Sequence, residues 1–192
     1  MNNISERLIG EKIITKRTIL RNFKPFDIKD LYEYCSQDGV GEMAGWQKHE
    51  SIDYSMKVLN NYIQNKNIYA VVYKENNKVI GHVNIQKDLD WGSTDTRELG
   101  YVLNKNYWNN GIMTEVVKVL LKELFESKHR IGKIYVRCCQ DNIRSKRLIE
   151  KCGFKFDQEY SLKLNLLKKV FKCYKFVYTS DMWLKNRNIK IT

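Results

Sequence analysis

The segment Glu98 to Phe125, ELGYVLNKNYWNNGIMTEVVKVLLKELF, changes its hydrophobic period partway along, and that change limits what the chain can fold into. Leu99 to Leu103 is short and apolar, as a strand is. Met113, Val117, Leu120, Leu121, Leu124 and Phe125 instead recur at the three- and four-residue steps of one helix face. Asn104 to Asn110, followed by Gly111, forms the turn between them. A strand feeding an amphipathic helix buries that helix against a sheet, which selects α/β or α+β architectures over barrels and bundles.

The flanking sequence carries the same grammar. Ile13 to Arg21 reads as a strand, and Pro25 and Asp27 open a helix through Leu31 and Tyr34. Ser51 suits the N-cap of a second helix, Ile52 to Ile63, with Met56, Leu59 and Ile63 on one face. Ile68 to Lys74 and Val79 to Gln86 flank Glu75-Asn76-Asn77-Lys78 as a hairpin. Beyond the long helix come a strand at Ile134 to Cys139, a helix from Ile143 to Cys152 ended by Gly153, and strands at Phe154 to Tyr160 and Val170 to Thr179.

The chain has 192 residues, 43% of them hydrophobic, enough for one core, so residues 1–192 are expected to form a single domain. With 10 Gly and 1 Pro it is neither collagen-like nor of low complexity. Its apolar runs stay short of the roughly 20 residues that span a bilayer, and the N-terminus lacks the apolar core of a signal peptide, so a cytoplasmic protein without membrane association is expected. Lys and Arg total 34 against 22 Asp and Glu, a net charge of +12. That charge suits a polyanionic partner, but the cations are dispersed and equally suit a solvated surface. The five cysteines, Cys35, Cys138, Cys139, Cys152 and Cys173, form no C-x-x-C pair, which predicts reduced thiols and no metal site.

Two segments can hold chemistry. A helix starting behind Asn109-Asn110-Gly111 presents unpaired N–H groups and the positive end of its dipole, which suits phosphate. In QDNIRSKRLIEKCGF, Asn142 can cap a short helix that has Ser145 in its first turn and Gly153 at its end. Either segment alone is also ordinary capping.

Together and in order, they resemble the GNAT acetyltransferase superfamily, and within it the RimJ/RimL-type branch that acetylates protein N-termini. Thr15-Lys16-Arg17-Thr18-Ile19-Leu20-Arg21 resembles the branch's T-x-R-L-x-L-R first strand, and Gly45-Trp46 with His49 and Ser51 its G-W-x-x-H-x-S approach to the second helix. Glu98-Leu99-Gly100-Tyr101 resembles E-I-G-Y, followed by Tyr107-Trp108, Gly111 and Thr114-Glu115. Asn142, Ser145 and Arg147 with Lys151-Cys152-Gly153-Phe154 resemble N-x-x-S-x-R…K-x-G-F.

The resemblance implies a GNAT fold, a mixed twisted sheet of six or seven strands flanked by helices and splayed between its fourth and fifth strands, with acetyl-CoA as cosubstrate. Asn110, Gly111, Ile112, Met113 and Thr114 would bind pyrophosphate; Tyr101 and Val102 would pair with the pantetheine arm, and Asn142 would hold it from the other side. Trp108 and Met113 replace the usual Gln or Arg and the final Gly or Ala, so Met113 must turn away from the phosphates. Ile149 stands where many members place a tyrosine acid, leaving Ser145 to assist a thiolate whose own pKa is roughly 8.5. An attacking ammonium must also lose a proton. Glu98, sharing a strand face with Gly100 and Val102, is a candidate base or the partner of a surface lysine; His82 is an alternative base or a structural histidine.

The amine attacks directly, and a strand N–H, that of Val102, would hold the oxyanion. Trp46 and His49 would shape the acceptor side, whereas Tyr54, Trp91 and Trp108 suit packing more than a groove. The acceptor is then a protein N-terminal amine or a small amine, with ribosome association as one use of the basic surface. The competing reading is a basic nucleic-acid- or ribosome-associated module that keeps the fold without turnover, for which charge is the only support.

Overall fold

In the computed structural model, which describes Ile9 and residues 12–87, 94–164 and 169–188, the chain enters through a hairpin of β1 (Lys12–Ile14) and β2 (Thr18–Asn22). The sequence predicts one strand over this stretch. It is broken because the Thr15 hydroxyl oxygen accepts the Thr18 N–H at 2.9 Å, while the Arg17 N–H donates to Glu115 at 2.8 Å. Side-chain partners for the turn override the β-branched propensity around it.

A short 3-10 turn, Pro25–Asp27, leads into α1 (Ile28–Cys35). After a loop containing a second such turn, Glu42–Ala44, the helix α2 (Ile52–Gln64) starts where Ser51 accepts the Tyr54 N–H at 3.2 Å. The hairpin β3 (Ile68–Tyr73) and β4 (Val79–Lys87) turns through Asn77, which takes a left-handed φ of 58°. Then follow β5 (Thr96–Leu103), α3 (Ile112–Phe125), β6 (Lys133–Cys139) and α4 (Ile143–Lys151). β7 (Lys155–Leu164), β8 (Lys169–Thr179) and α5 (Ser180–Asn188) complete the described chain. The periodicity does not announce α5, whose residues are mostly polar.

The strands make one eight-stranded sheet in the order β1-β2-β3-β4-β5-β6-β8-β7. This is the expected mixed α/β sheet, with one strand beyond the upper count because the first is split. β5 and β6 form the parallel pair, joined through α3, and every other pairing is antiparallel. One face is covered by α3 and α4, whose Leu120, Leu124 and Ile149 pack with Ile134, Val136 and Phe154. The other face carries α1 and α2 over its β2–β4 half, with Leu31, Tyr34 and Leu59 against Ala70 and Val72. Burial on both faces of β3 explains why it reads as a continuous apolar run.

Leu120 is fully buried in the larger cluster. Leu120→Ala should cost about 2–5 kcal/mol through lost contacts and the cavity left behind, seen as a lower denaturant midpoint at unchanged m-value.

Candidate active site

The site begins where the central pair parts. β5 and β6 are in register at Thr96↔Lys133, Arg97↔Ile134 and Glu98↔Tyr135, and among the described residues they pair no further. The five residues of β5 beyond Glu98 therefore face a gap in the sheet. Which backbone groups enter it follows from the ladder on the other side. Asn104 N–H donates to the Ile80 carbonyl at 2.7 Å, and two residues back in the same register His82 opposes Val102. Hydrogen-bonded pairs alternate in an antiparallel ladder, so Val102 exchanges its bonds with β4, while Tyr101 and Leu103 turn theirs into the gap. The sequence-based pairing of Val102 with the pantetheine arm, and of its N–H with the oxyanion, is thereby corrected: the groups free to enter the gap are those of Tyr101 and Leu103, and a parity of one residue cannot be read from a strand pattern.

On the α3 and α4 side the gap opens into a cleft of about 280 Å³. One wall is the start of α3. Asn109 and Gly111 are both left-handed, with φ of 62° and 71°, and the helix begins at Ile112. Gly111, Ile112, Met113 and Thr114 line the cleft with the unpaired N–H groups of the first helical turn. Met113 is 4% exposed and sends its side chain into the main core, the direction that its position before the phosphates requires. Asn110 is placed differently from the sequence-based expectation. It lies on the outer side of the loop, lining a separate hollow with Arg17, and its carbonyl accepts from Arg17 Nη1 at 2.8 Å.

The facing wall is α4. Asn142 caps it, accepting the Ser145 N–H at 3.1 Å, and the Ser145 Oγ lies 2.7 Å from the Tyr101 hydroxyl across the gap. Ile149 therefore does not leave the site without a phenol, because β5 supplies one. Burial pushes the Tyr101 hydroxyl well above its ordinary pKa, so it stays protonated. Arg144, Arg147 and Lys151 also line this wall, and the Arg144 guanidinium lies 4.1 Å from the Trp108 ring centre, a cation–π contact. The i, i+3, i+7 spacing of these three cations was a legible signal of one charged helix face.

On the opposite face a second cleft of about 400 Å³ shares Met43, Ala44, Tyr101, Val102, Asn142 and Ser145 with the first. Its floor includes Asn84, Glu98 and Gly100, and its walls include Trp46, Tyr62 and Tyr160. Glu98 lies 3.5 Å from Arg137, which reaches over the Tyr160 ring at 5.7 Å, so its ion partner here is an arginine inside the cleft. Arg137 and Tyr160 escaped the sequence reading because β6 and β7 meet this face only through the tertiary fold.

His49 does not line either cleft. It is buried, with Nδ1 2.7 Å from the Ser55 hydroxyl, its N–H bonded to the Cys35 carbonyl at 2.9 Å, and its ring 5.3 Å from Trp46. It braces the wall that Trp46 forms. Of the other aromatics, Tyr54 is exposed, Trp108 lies on the α4 side, and Trp91 lies outside the described residues. His82 lines the second cleft, with Nδ1 2.9 Å from the Tyr34 hydroxyl. Burial pushes its imidazole down to about 4, so it is neutral at pH 7. Cys139 and Cys173 face each other at 3.8 Å, but burial pushes the Cys138 and Cys173 thiols up to about 11 and about 12, which withholds a thiolate nucleophile.

Two clefts joined through a parted parallel pair, one of them walled by a helix N-terminus, have the form of a two-substrate site, and comparison with known proteins gives the family. Residues 17–155 match the acetyltransferase (GNAT) domain family, and the chain belongs to it. The uncharacterised N-acetyltransferase YnaD of Bacillus subtilis (strain 168) is 29% identical over 143 residues, 74% of this chain and 82% of that protein. The structure of a GNAT-family acetyltransferase from Bacillus anthracis superposes with a TM-score of 0.79 at 21% identity, covering 88% of this chain and 99% of that one. The ribosomal-protein-S5-alanine acetyltransferase of Vibrio fischeri does so with a TM-score of 0.74 at 18% identity, covering 91% and 99%. The protein is thus a GNAT N-acetyltransferase, of a family that uses acetyl-CoA.

Two measurements follow from this geometry. Acetyl-CoA or CoA at 100 times its dissociation constant should stabilise the fold by about 2.7 kcal/mol, and Gly111→Asp should abolish the thermal shift, because a side chain strains the left-handed residue before α3 and its carboxylate meets Arg17. Because burial lowers the folded pKa of His82 to about 4, the unfolded chain takes up that proton first as the pH falls. The contribution is fully present above the unfolded value near 6.5 and is lost towards pH 4, about 3 kcal/mol in all. His49, lowered by burial, acts with the same sign, and His82→Gln should flatten the decline in unfolding experiments between pH 7 and 4.5.

Proposed function

We propose that the chain transfers the acetyl group of acetyl-CoA to a primary amine by direct attack, with a protein N-terminal amine as acceptor. The observation that carries this reading is the pair of clefts meeting at Tyr101, Val102, Asn142 and Ser145. Pyrophosphate lies on the start of α3 near the cations of α4. The pantetheine amides complete the ladder that β5 leaves open, and the thioester reaches the junction. The amine enters from the Glu98 side and forms a bond from its lone pair to the carbonyl carbon. The oxygen of the tetrahedral adduct is held by N–H groups aimed into the gap; the C–S bond then breaks, and the thiolate takes a proton through the Ser145 and Tyr101 hydroxyls.

Position separates the two candidate bases. At about 4 the His82 imidazole is no stronger a base than an ordinary carboxylate, but it stands directly across from Val102. Glu98 is four residues along β5, about 13 Å at ~3.3 Å per residue, and acts through water. Glu98 is, among the described residues, the one carboxylate lining that cleft, and Arg137 sits beside it. That arrangement disfavours polycations, which need several carboxylates, and suits a peptide N-terminus lying past Trp46. A ribosomal-protein acetyltransferase among the structural neighbours points the same way.

A transfer screen read by released CoA thiol, across N-terminal peptides, polyamines, aminoglycosides and amino acids, should find peptides preferred. Rapid, saturable acetylation of spermidine with inert peptides would overturn the acceptor while leaving the transferase in place. Glu98→Gln should lower kcat by about 10²-fold or more, a typical general-base loss, with the deficit shrinking at high pH where amines deprotonate unaided. Ser145→Ala should lower kcat more modestly. A silent Glu98→Gln beside a crippled His82→Asn would move the base to the histidine. Steeply salt-dependent RNA binding without transfer to any amine would favour a binding module instead.

A further inference from the structure

The loop that starts α3 is gripped from outside the cleft. The Glu115 carboxylate, in the first turn of α3, accepts from the Thr15 hydroxyl at 2.6 Å, the Arg17 backbone N–H at 2.8 Å and Arg17 Nε at 2.8 Å. Burial works to raise the pKa of Glu115, and the bonds from Thr15 and Arg17 outweigh it, holding the carboxyl below its usual value. Arg17, fixed along one edge by this carboxylate, extends Nη1 to the Asn110 carbonyl at 2.8 Å.

That last bond has a directional consequence. The carbonyl of Asn110 and the N–H of Gly111 belong to one peptide plane, and in a trans peptide they point in opposite directions. All peptide bonds described are trans. Drawing the carbonyl outward to Arg17 therefore turns the Gly111 N–H inward. The surroundings match, because Asn110 and Arg17 line the outer hollow, whereas Gly111 lines the cleft. Gly111, at a φ of 71°, can take either sign of φ, so this peptide is free to turn over if nothing holds it.

We propose that Arg17, anchored by Glu115, is a positioning residue for the cosubstrate: it holds the Asn110–Gly111 peptide with its N–H aimed at the pyrophosphate. The inference rests on reading this cleft as the acetyl-CoA site. It places the role in the β1–β2 turn, a part of the chain with no residue in the cleft, and it explains why that turn interrupts an otherwise continuous strand. The guanidinium acts by geometry. A lysine would keep the charge near the phosphates but cannot bind the Glu115 carboxylate and the Asn110 carbonyl together in the same plane.

The test compares acetyl-CoA with S-acetylpantetheine, which carries the thioester but no pyrophosphate, as donors to one peptide. Arg17→Ala should raise KM for acetyl-CoA by about tenfold with kcat within twofold, and leave kcat/KM for S-acetylpantetheine unchanged. Arg17 is about one-third exposed, so the variant should fold, and circular dichroism melts check this. Arg17→Lys should recover only part of the loss; full recovery would show that charge alone matters and would overturn the proposal. Equal losses with both donors would also overturn it, by making Arg17 a general support of the fold. CoA titration keeps the two readings apart. Wild-type protein that binds no CoA would defeat the cofactor reading and this proposal with it, whereas equal affinity in wild type and Arg17→Ala would defeat the positioning role alone.

Discussion

A sheet held together by its hydrogen-bond ladder gives up that ladder at its centre. After Glu98↔Tyr135 the parallel strands β5 and β6 diverge, and the backbone edge of β5 beyond that point is left for other partners. Unmade backbone bonds in a buried place cost on the order of 1–3 kcal/mol each, so such a gap persists only if something else satisfies them. The protein itself supplies part: Trp108 Nε1 donates to the Leu103 carbonyl at 2.7 Å. A ligand carrying amides can supply the rest. Helices α3 and α4 start on the same side of the gap and cover it from that face, so the opening, the left-handed turn before α3 and the capped helix are consequences of one divergence.

The two faces of the gap differ electrostatically. The α3 and α4 side gathers Arg144, Arg147 and Lys151 around a helix N-terminus, all of one sign. The Glu98 side sets one carboxylate beside one guanidinium among amides and aromatic rings. A polyanionic ligand is therefore favoured on one face only, which supports the proposed order of phosphates at the start of α3, thioester at the junction and amine beyond it. The overall charge of +12 contributes little to this discrimination, since the local arrangement, not the total, separates the faces.

Much of this was legible before any coordinates. The switch from strand to helix period at Glu98–Phe125, the Ser51 and Asn142 caps, and the hairpin at Asn77 each follow from a local rule, and each stands within a residue or two of where that rule puts it. What escaped was non-local. The break at Thr15–Arg17 depends on Glu115, some hundred residues away, and the turning of Asn110 away from the cleft depends on that same network. The Val102 assignment failed on ladder parity, which needs the register with β4. Placing His49 in the site failed because its hydrogen bond to Ser55 draws it into the packing behind Trp46.

The six residues common to both clefts bear on how such an enzyme can diversify. Tyr101, Val102, Asn142 and Ser145 line both clefts, so under the proposed reaction a change there that suited a new acceptor would also disturb the grip on the thioester. Substitutions at Trp46, Tyr62, Arg137 and Tyr160 carry no such penalty, because those side chains line the second cleft alone. Descendants of this scaffold would therefore drift in acceptor choice through their outer rim while the junction stayed fixed, which makes the rim the informative place to compare lineages and the junction the poor one.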